Sequence, residues 1–133
     1  MVQFYQVLTA RFAGYAEDHL HLGLTHEQLG NHAAAESAYR RALEIDAASA
    51  RAHLLLARLY RSEQRIADMV AVCQDLLAAD PSHLEAHKLL AYGLRYMGQQ
   101  RQAAYHARRA IALAPEDSTL APLRRWLKLA GDL

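Results

Sequence analysis

Apolar residues recur at helical spacing along most of the chain. They are separated by three, four or seven positions, which places them on one side of an α-helix, as in Leu22 and Leu29 or in Leu56, Leu59 and Tyr60. The pattern predicts three helical hairpins, over 16–46, 50–80 and 84–114. The second helix of each hairpin is predicted at about 33–45, 66–79 and 100–113.

Short polar breaks separate the two helices of each hairpin: Gly30-Asn31, Gln64-Arg65 and Gly98-Gln99. Glycine at the first and third breaks predicts a left-handed residue after a helix end, because glycine has no Cβ to clash. The second break lacks glycine, so the sequence defines its turn least. Pro81 and Pro115 end the last two hairpins, since proline cannot donate a backbone hydrogen bond. Ser82 and Glu85 have the spacing of a capping box, which predicts Ser82 as the N-cap of the next helix.

The hairpins repeat at a fixed interval of 34 residues. His19, His53 and His87 fall one interval apart, and Ala47 stands one interval before Pro81. A constant interval of this length is typical of repeat arrays, in which each unit buries its apolar face against a neighbour. Such arrays usually serve as binding surfaces.

In this register the chain resembles the tetratricopeptide repeat (TPR) family, whose pattern is Trp-x2-Leu-Gly-x2-Tyr, then Ala-x3-Phe-x2-Ala, then Pro. The match allows small residues in place of Gly and aromatic residues in place of Phe. The matching positions in repeats one, two and three are, in turn, Leu22, Gly23, Ala35, Tyr39 and Ala42; Leu56, Ala57, Tyr60 and Pro81; and Leu90, Ala91, Ala103, Ala110 and Pro115. The chain departs from the pattern where histidine replaces the leading Trp of every repeat. In the second repeat Met69, Cys73 and Leu76 replace Ala, Phe and Ala, so these places stay apolar.

The resemblance implies an all-α fold, a right-handed α-solenoid of three TPR helical hairpins with an N-terminal helix and a C-terminal capping helix. It implies one domain over 1–133, divided into an N-terminal helix, three repeats and a capping helix at 1–15, 16–49, 50–83, 84–117 and 118–133. Tyr5 and Leu8 match the second helix of a truncated repeat, so residues 2–13 are either an N-terminal cap or the remainder of a longer array. Pro122 is predicted in the first turn of the capping helix.

Composition and charge limit the partners and the compartment. The net charge is +1, so the chain lacks the strong basic field expected of a nucleic-acid-binding protein. No apolar run approaches the ~20 residues needed to cross a bilayer, and no secretion signal is visible. A cytoplasmic location is therefore expected, and the single Cys73 fits a reducing compartment. The excess of arginine over lysine hints at a GC-rich bacterial genome.

The sequence contains little that indicates catalytic chemistry. The sequence has no nucleophile elbow, no glycine-rich phosphate loop and no cysteine pair, so we expect no enzyme activity and no cofactor. His83 and His87 stand four residues apart and could share a helix face, but two ligands without a third predict no metal site. Cys73 is expected to be an inert core thiol. His19 and its two repeats are expected to be buried and neutral, so that acid loosens the fold.

The first helix of each hairpin is expected to bury one stripe of side chains against its partner helices and to leave the opposite face exposed. In TPR proteins this exposed face lines a concave peptide-binding groove. The candidate binding residues on it are Leu20, Leu24, Arg51, Leu54, Arg58, Arg61, Lys88, Tyr92, Arg95 and Tyr96. Glu17 and Glu27 make the face acidic in the first repeat, whereas repeats two and three contribute five cations and only Glu85 as an anion. The face is expected to bind another protein or peptide with apolar anchors and acidic residues.

Two further expectations follow from the resemblance. TPR domains that clamp chaperone carboxyl termini use Lys, Asn and Arg at places that here hold Leu20, Leu24, Leu55, Glu85 and Leu89, so clamping of that type is not expected. The chain is interpreted as a non-catalytic protein–protein interaction adaptor. The alternative is a structural module that self-assembles into a homo-oligomer, end to end or through residues 2–13.

Overall fold

The computed structural model describes residues 15–131, so the helix predicted over 2–13 lies outside the described residues. Within that range every regular element is helical. The helices are α1 Ala16–Gln28, α2 His32–Ile45, α3 Ala50–Ser62, α4 Ile66–Ala79, α5 Leu84–Tyr96, α6 Gln100–Leu113 and, after a 3-10 turn at Ser118–Leu120, α7 Ala121–Ala130. The predicted second helices are confirmed to within one residue, and Pro122 lies in the first turn of α7 as expected. None of these helices has the length and apolar character needed to span a bilayer.

Left-handed residues end the first helix of each hairpin. Gly30 and Gly98 have φ angles of 79° and 82°, as predicted. Gln64 adopts the same conformation, with φ 63°, in the break that lacks glycine. The turn therefore keeps its geometry despite the Cβ of Gln64, whose clash with the backbone costs about 1–2 kcal/mol in this region.

The prediction that Ser82 caps α5 is wrong. His83 is the N-cap, and its Nδ1 accepts a hydrogen bond of 3.3 Å from the backbone N–H of Ala86. Ser49 caps α3 and Asp117 caps the 3-10 turn at the equivalent repeat positions. The repeat register, not the capping-box spacing, therefore decides which residue stands at the helix start.

The chain divides into two compact units, Met1–Glu63 and Gln64–Leu133. The boundary falls in the Gln64 turn between the two helices of the second predicted repeat. The described part of the first unit contains α1, α2 and α3, and that of the second contains α4 to α7. The repeat limits given above remain a prediction.

The first unit packs α1 closely on α2. Gly23 faces the ring of Tyr39, which is wholly buried, and Tyr39 Oη donates a 2.9 Å hydrogen bond to Glu27. Burial and the contact with Glu27 raise the pKa of Tyr39, so its hydroxyl stays a donor. Between α2 and α3, Tyr60 Oη donates to Glu36 at 2.7 Å, and Arg40 contacts both side chains.

The second unit has the apolar core that the sequence predicts for it. Met69, Cys73 and Leu76 are buried, which confirms that the substituted motif places stay in the core. The 3-10 turn and α7 together cover the third hairpin, because Leu120 and Leu123 join one buried cluster with Ala91, Ala107 and Ala110. The capping role expected of this end segment is thus confirmed.

Candidate functional site

The candidate binding residues of the first unit differ in exposure. Leu20 is wholly buried, so its assignment to an exposed face is wrong: helical spacing fixes where the side chain points but not what covers it. Leu24 and Leu54 are half-buried. Arg58 and Arg61 are exposed on α3 and remain available to a partner.

Arg51 is already engaged within the first unit. Its guanidinium pairs with the carboxylate of Glu17, and the pair joins α3 to α1 across one repeat interval. Both side chains are about half exposed, at 49% and 60%, so the pair contributes little stability. It does neutralise one of the cations that the sequence assigned to the binding face.

The second unit brings three of its four candidate residues together in one patch. Tyr92, Arg95 and Tyr96 line a shallow cleft of about 290 Å³ on α5, and Tyr96 is 74% exposed. The guanidinium of Arg95 lies 5.0 Å from the ring centroid of Trp126 on α7. This cation–π contact holds the guanidinium against the indole ring, while Arg95 as a whole stays exposed. We call Tyr92, Arg95, Tyr96 and Trp126 the aromatic patch.

Lys88 lies at the other end of the same face of α5. Its ammonium donates a 3.0 Å hydrogen bond to Thr119 Oγ1 and lies 3.8 Å from the carboxylate of Glu85. Lys88 is therefore partly satisfied by its own chain, whereas Arg95 keeps its guanidinium exposed. Trp126 was missed by sequence reasoning, although its place one turn after the buried Leu123 on an amphipathic end helix was a usable signal.

The repeated histidines are buried, as predicted. His19, His53 and His87 are at most 6% exposed. His53 Nδ1 lies 2.8 Å from the carbonyl oxygen of Ser49. His87 Nε2 lies 2.9 Å from the carbonyl of Pro81, which can only accept, so this nitrogen carries the proton.

His87 also meets His106 of α6, a partner that the sequence did not reveal. The two Nδ1 atoms are 2.9 Å apart and the ring centroids 5.1 Å, so the rings point at each other. One of the two Nδ1 atoms donates in this contact and the other accepts. Burial and the neighbouring His87 lower the pKa of His106 to about 4.

Metal and thiol chemistry find little support in the described residues. Between residues 15 and 131, no three His, Cys, Asp or Glu side chains are grouped to hold a metal ion, and His83 uses its Nδ1 as a helix cap. Cys73 is buried, and burial, aided by the charge of Glu85, raises the pKa of its thiol to about 12. A thiol with that pKa stays protonated and unreactive at neutral pH.

Comparisons with known proteins agree with this architecture. The tetratricopeptide repeat family model matches residues 27–92, about half of the chain. No curated protein matches the sequence. Among solved structures, the MamA RS-1 ArsTM double mutant is similar over 98% of this chain and 74% of its own, with a TM-score of 0.81 and 16% identity.

Two further structures carry descriptions that mention peptides. The first TPR of Spaghetti (RPAP3), bound to the HSP90 peptide SRMEEVD, matches 86% of this chain and 91% of its own, with a TM-score of 0.76 and 16% identity. YrrB, a TPR protein with an unusual peptide-binding site, matches 84% of this chain but only 57% of its own, with a TM-score of 0.70 and 20% identity. At these identities the likeness concerns the fold. Together with the family match and the seven described helices, it identifies this chain as a member of the tetratricopeptide repeat family.

Proposed function

We propose that this protein is a non-catalytic adaptor that binds partner-protein segments on exposed helix faces within each unit, those of α1 and α3 in the first unit and that of α5 in the second. The observation that carries the proposal is the aromatic patch, in which Arg95 lines a cleft with Tyr92 and Tyr96 and lies over the ring of Trp126. Aromatic and arginine side chains are enriched at protein interfaces, because they offer large contact area at a low cost in conformational entropy.

The charges on these faces define the partner's chemistry. Arg58, Arg61 and Arg95 are exposed, whereas Arg51 pairs with Glu17 and Lys88 with Glu85. The guanidinium groups suit the carboxylates of an acidic segment, since each offers forked donors. The half-buried Leu24 and Leu54 and the exposed tyrosines suit its apolar anchors.

The descriptions of two similar structures support binding of peptides rather than of small molecules, because one holds a chaperone peptide and the other is described by its peptide-binding site. A chaperone tail is not the expected partner here. The places of the carboxylate clamp hold Leu20, Leu24, Leu55, Glu85 and Leu89, and Leu20 is buried.

A charge reversal tests the proposal directly. The natural partner is first captured by pull-down from native extract and identified by mass spectrometry. The double variant Arg58→Glu with Arg95→Glu is then expected to weaken its binding at least about tenfold, since each reversal turns attraction into repulsion. Isothermal titration calorimetry measures the affinity, and circular dichroism checks that helicity is kept. The affinity of the unaltered protein is expected to fall as salt rises.

The matched control reverses two exposed arginines on a second helix, Arg108→Glu with Arg109→Glu. This variant changes the net charge equally but leaves the proposed faces intact. Full affinity in the first variant, or an equal loss in the control, would reject these faces as the binding site.

Self-assembly is the second candidate function. Leu129 of the last helix is 88% exposed, an unusual position for a large apolar side chain, and Tyr96 in the same unit is 74% exposed. Light scattering over a concentration series is expected to show a growing mass, and Leu129→Lys to reverse it. A single monomeric mass at every concentration would contradict assembly.

A further inference from the structure

We propose that the cleft between α1 and α2 is a binding site for a small oxyanion, a carboxylate or a phosphate group, separate from the proposed peptide-binding faces. The cleft has a volume of about 230 Å³ and is lined by His19, Leu22, His26, Ala34, Ser37, Ala38 and Arg41. We call it the His19–His26 cleft. Two of its histidine nitrogens are buried and have no hydrogen-bond partner among residues 15–131: His19 Nε2 and His26 Nδ1.

His19 differs from the equivalent histidines of the other two repeats, whose rings have hydrogen-bond partners within the described residues. His53 meets the carbonyl of Ser49, and His87 meets both the carbonyl of Pro81 and the ring of His106. Two of the three repeated histidines are thus satisfied by their own chain. A buried polar group without a partner is unfavourable, so a polar ligand that reaches these nitrogens and supplies the missing hydrogen bonds is favoured.

The lining groups determine the sign of that ligand. Arg41 only donates hydrogen bonds, Ser37 can donate, and each imidazole can present an N–H in the tautomer that a ligand selects. None of the described residues that line the cleft carries a carboxylate. Arg41 does lie 3.8 Å from Glu44, but that pair is exposed, and the guanidinium has further N–H groups to offer.

The electrostatic surroundings of His19 agree with an anion site. Burial and then the charge of Arg41 lower the pKa of His19, while Asp18 of α1 and Glu44 of α2 act in the opposite direction. A bound anion would oppose both lowering influences and stabilise the imidazolium. Binding should therefore take up protons, and affinity should rise as the pH falls from 8 to 6. A metal ion fits less well, because the cleft offers two imidazoles next to a fixed cation.

Nuclear magnetic resonance of the histidine side chains tests the site without any protein partner. The full chain is titrated with sodium acetate and, separately, with inorganic phosphate, and sodium chloride at matched ionic strength serves as the control. The His19 and His26 resonances are expected to shift saturably with an oxyanion but not with chloride, and the pKa of His19 to rise. Saturation by acetate alone would indicate a carboxylate ligand, and saturation by phosphate alone a phosphate group.

Variants then assign the effect to this cleft. Arg41→Gln is expected to weaken binding about tenfold, the loss typical of one charge-assisted hydrogen bond. Arg109→Gln, two repeat intervals further along the chain and exposed on α6, should change nothing. Ser37→Ala is a milder second variant, expected to weaken binding without altering charge, should Arg41→Gln fail to fold.

Three results would overturn the proposal: equal responses to chloride and to both oxyanions, equal losses in the Arg41 and Arg109 variants, or saturation by Zn²⁺ with no response to either oxyanion. None of these results bears on the aromatic patch, so the two proposals can fail independently.

Discussion

The contact between Gly23 and Tyr39 makes a strong prediction about the substitution Gly23→Ala. A Cβ placed on Gly23 would lie 2.4 Å from Tyr39 Cε1 and 2.7 Å from Cδ1, far inside contact distance. The ring cannot easily retreat, because it is wholly buried and its hydroxyl is bonded to Glu27 at 2.9 Å. Alanine is normally the better helix former, so propensity alone predicts the opposite sign.

The magnitudes favour destabilisation. Overpacking a close contact costs about 1–3 kcal/mol, and a displaced hydrogen bond to a carboxylate costs about 1.5–3 kcal/mol. The gain from replacing glycine inside a helix is only about 1 kcal/mol. We therefore expect Gly23→Ala to lower the free energy of unfolding by about 1.5–5 kcal/mol, the two costs less the propensity gain, measured by urea denaturation followed by circular dichroism.

The control removes the ring. The second repeat carries Ala57 and Cys73 at the positions equivalent to Gly23 and Tyr39. In a Tyr39→Cys background, Gly23→Ala should become neutral or stabilising by up to about 1 kcal/mol, because only the propensity gain remains. The same loss in both backgrounds, or a gain in the original one, would refute the steric argument.

Two further predictions concern the left-handed turn and the histidine pair. Gln64→Gly should raise the free energy of unfolding by about 0.5–1 kcal/mol in urea denaturation. The reason is that the left-handed strain of about 1–2 kcal/mol exceeds the added entropy of glycine in the unfolded chain. An equal gain from the control Gln99→Gly, where φ is −88°, would contradict this prediction. The pKa of His106 is lowered to about 4 in the folded protein, so the fold favours the neutral imidazole. The resulting contribution to stability is fully present above the unfolded pKa of about 6.5. It is lost as the pH falls from there towards 4, by up to about 3 kcal/mol. His106→Gln keeps an N–H donor for His87 but cannot be protonated, so the drop in melting temperature from pH 7 to 5 should be smaller in this variant; equal drops would contradict the assignment.

Much of the fold was readable from local spacing. Helix limits in the second helices follow from apolar periodicity, and the turns at Gly30 and Gly98 follow from glycine's freedom at positive φ. Met69 and Cys73 were correctly predicted to be core residues, because these motif positions, 34 residues apart, have the same burial in successive repeats. These features depend on residues close in sequence or on the constant interval, and both are visible without coordinates.

The candidate site was only partly predictable. Tyr92, Arg95 and Tyr96 share a helix face by spacing alone, but the position of Trp126 beside Arg95 depends on how α7 packs on the third hairpin. Leu20 was misplaced for a related reason, since spacing gave its direction while its neighbours decided its burial.

The sequence by itself thus determined the helical hairpins, their interval and the burial of the repeated histidines. Only the tertiary structure decided that His87 meets His106 and that Arg95 lies over Trp126. It also decided that His19 and His26 line a cleft, each with a buried nitrogen that has no partner in the described part of the chain. The physical reason is that helical periodicity fixes the direction of a side chain relative to its own backbone. Hydrogen-bond partners and neighbouring charges come from other helices, and their positions are set by packing.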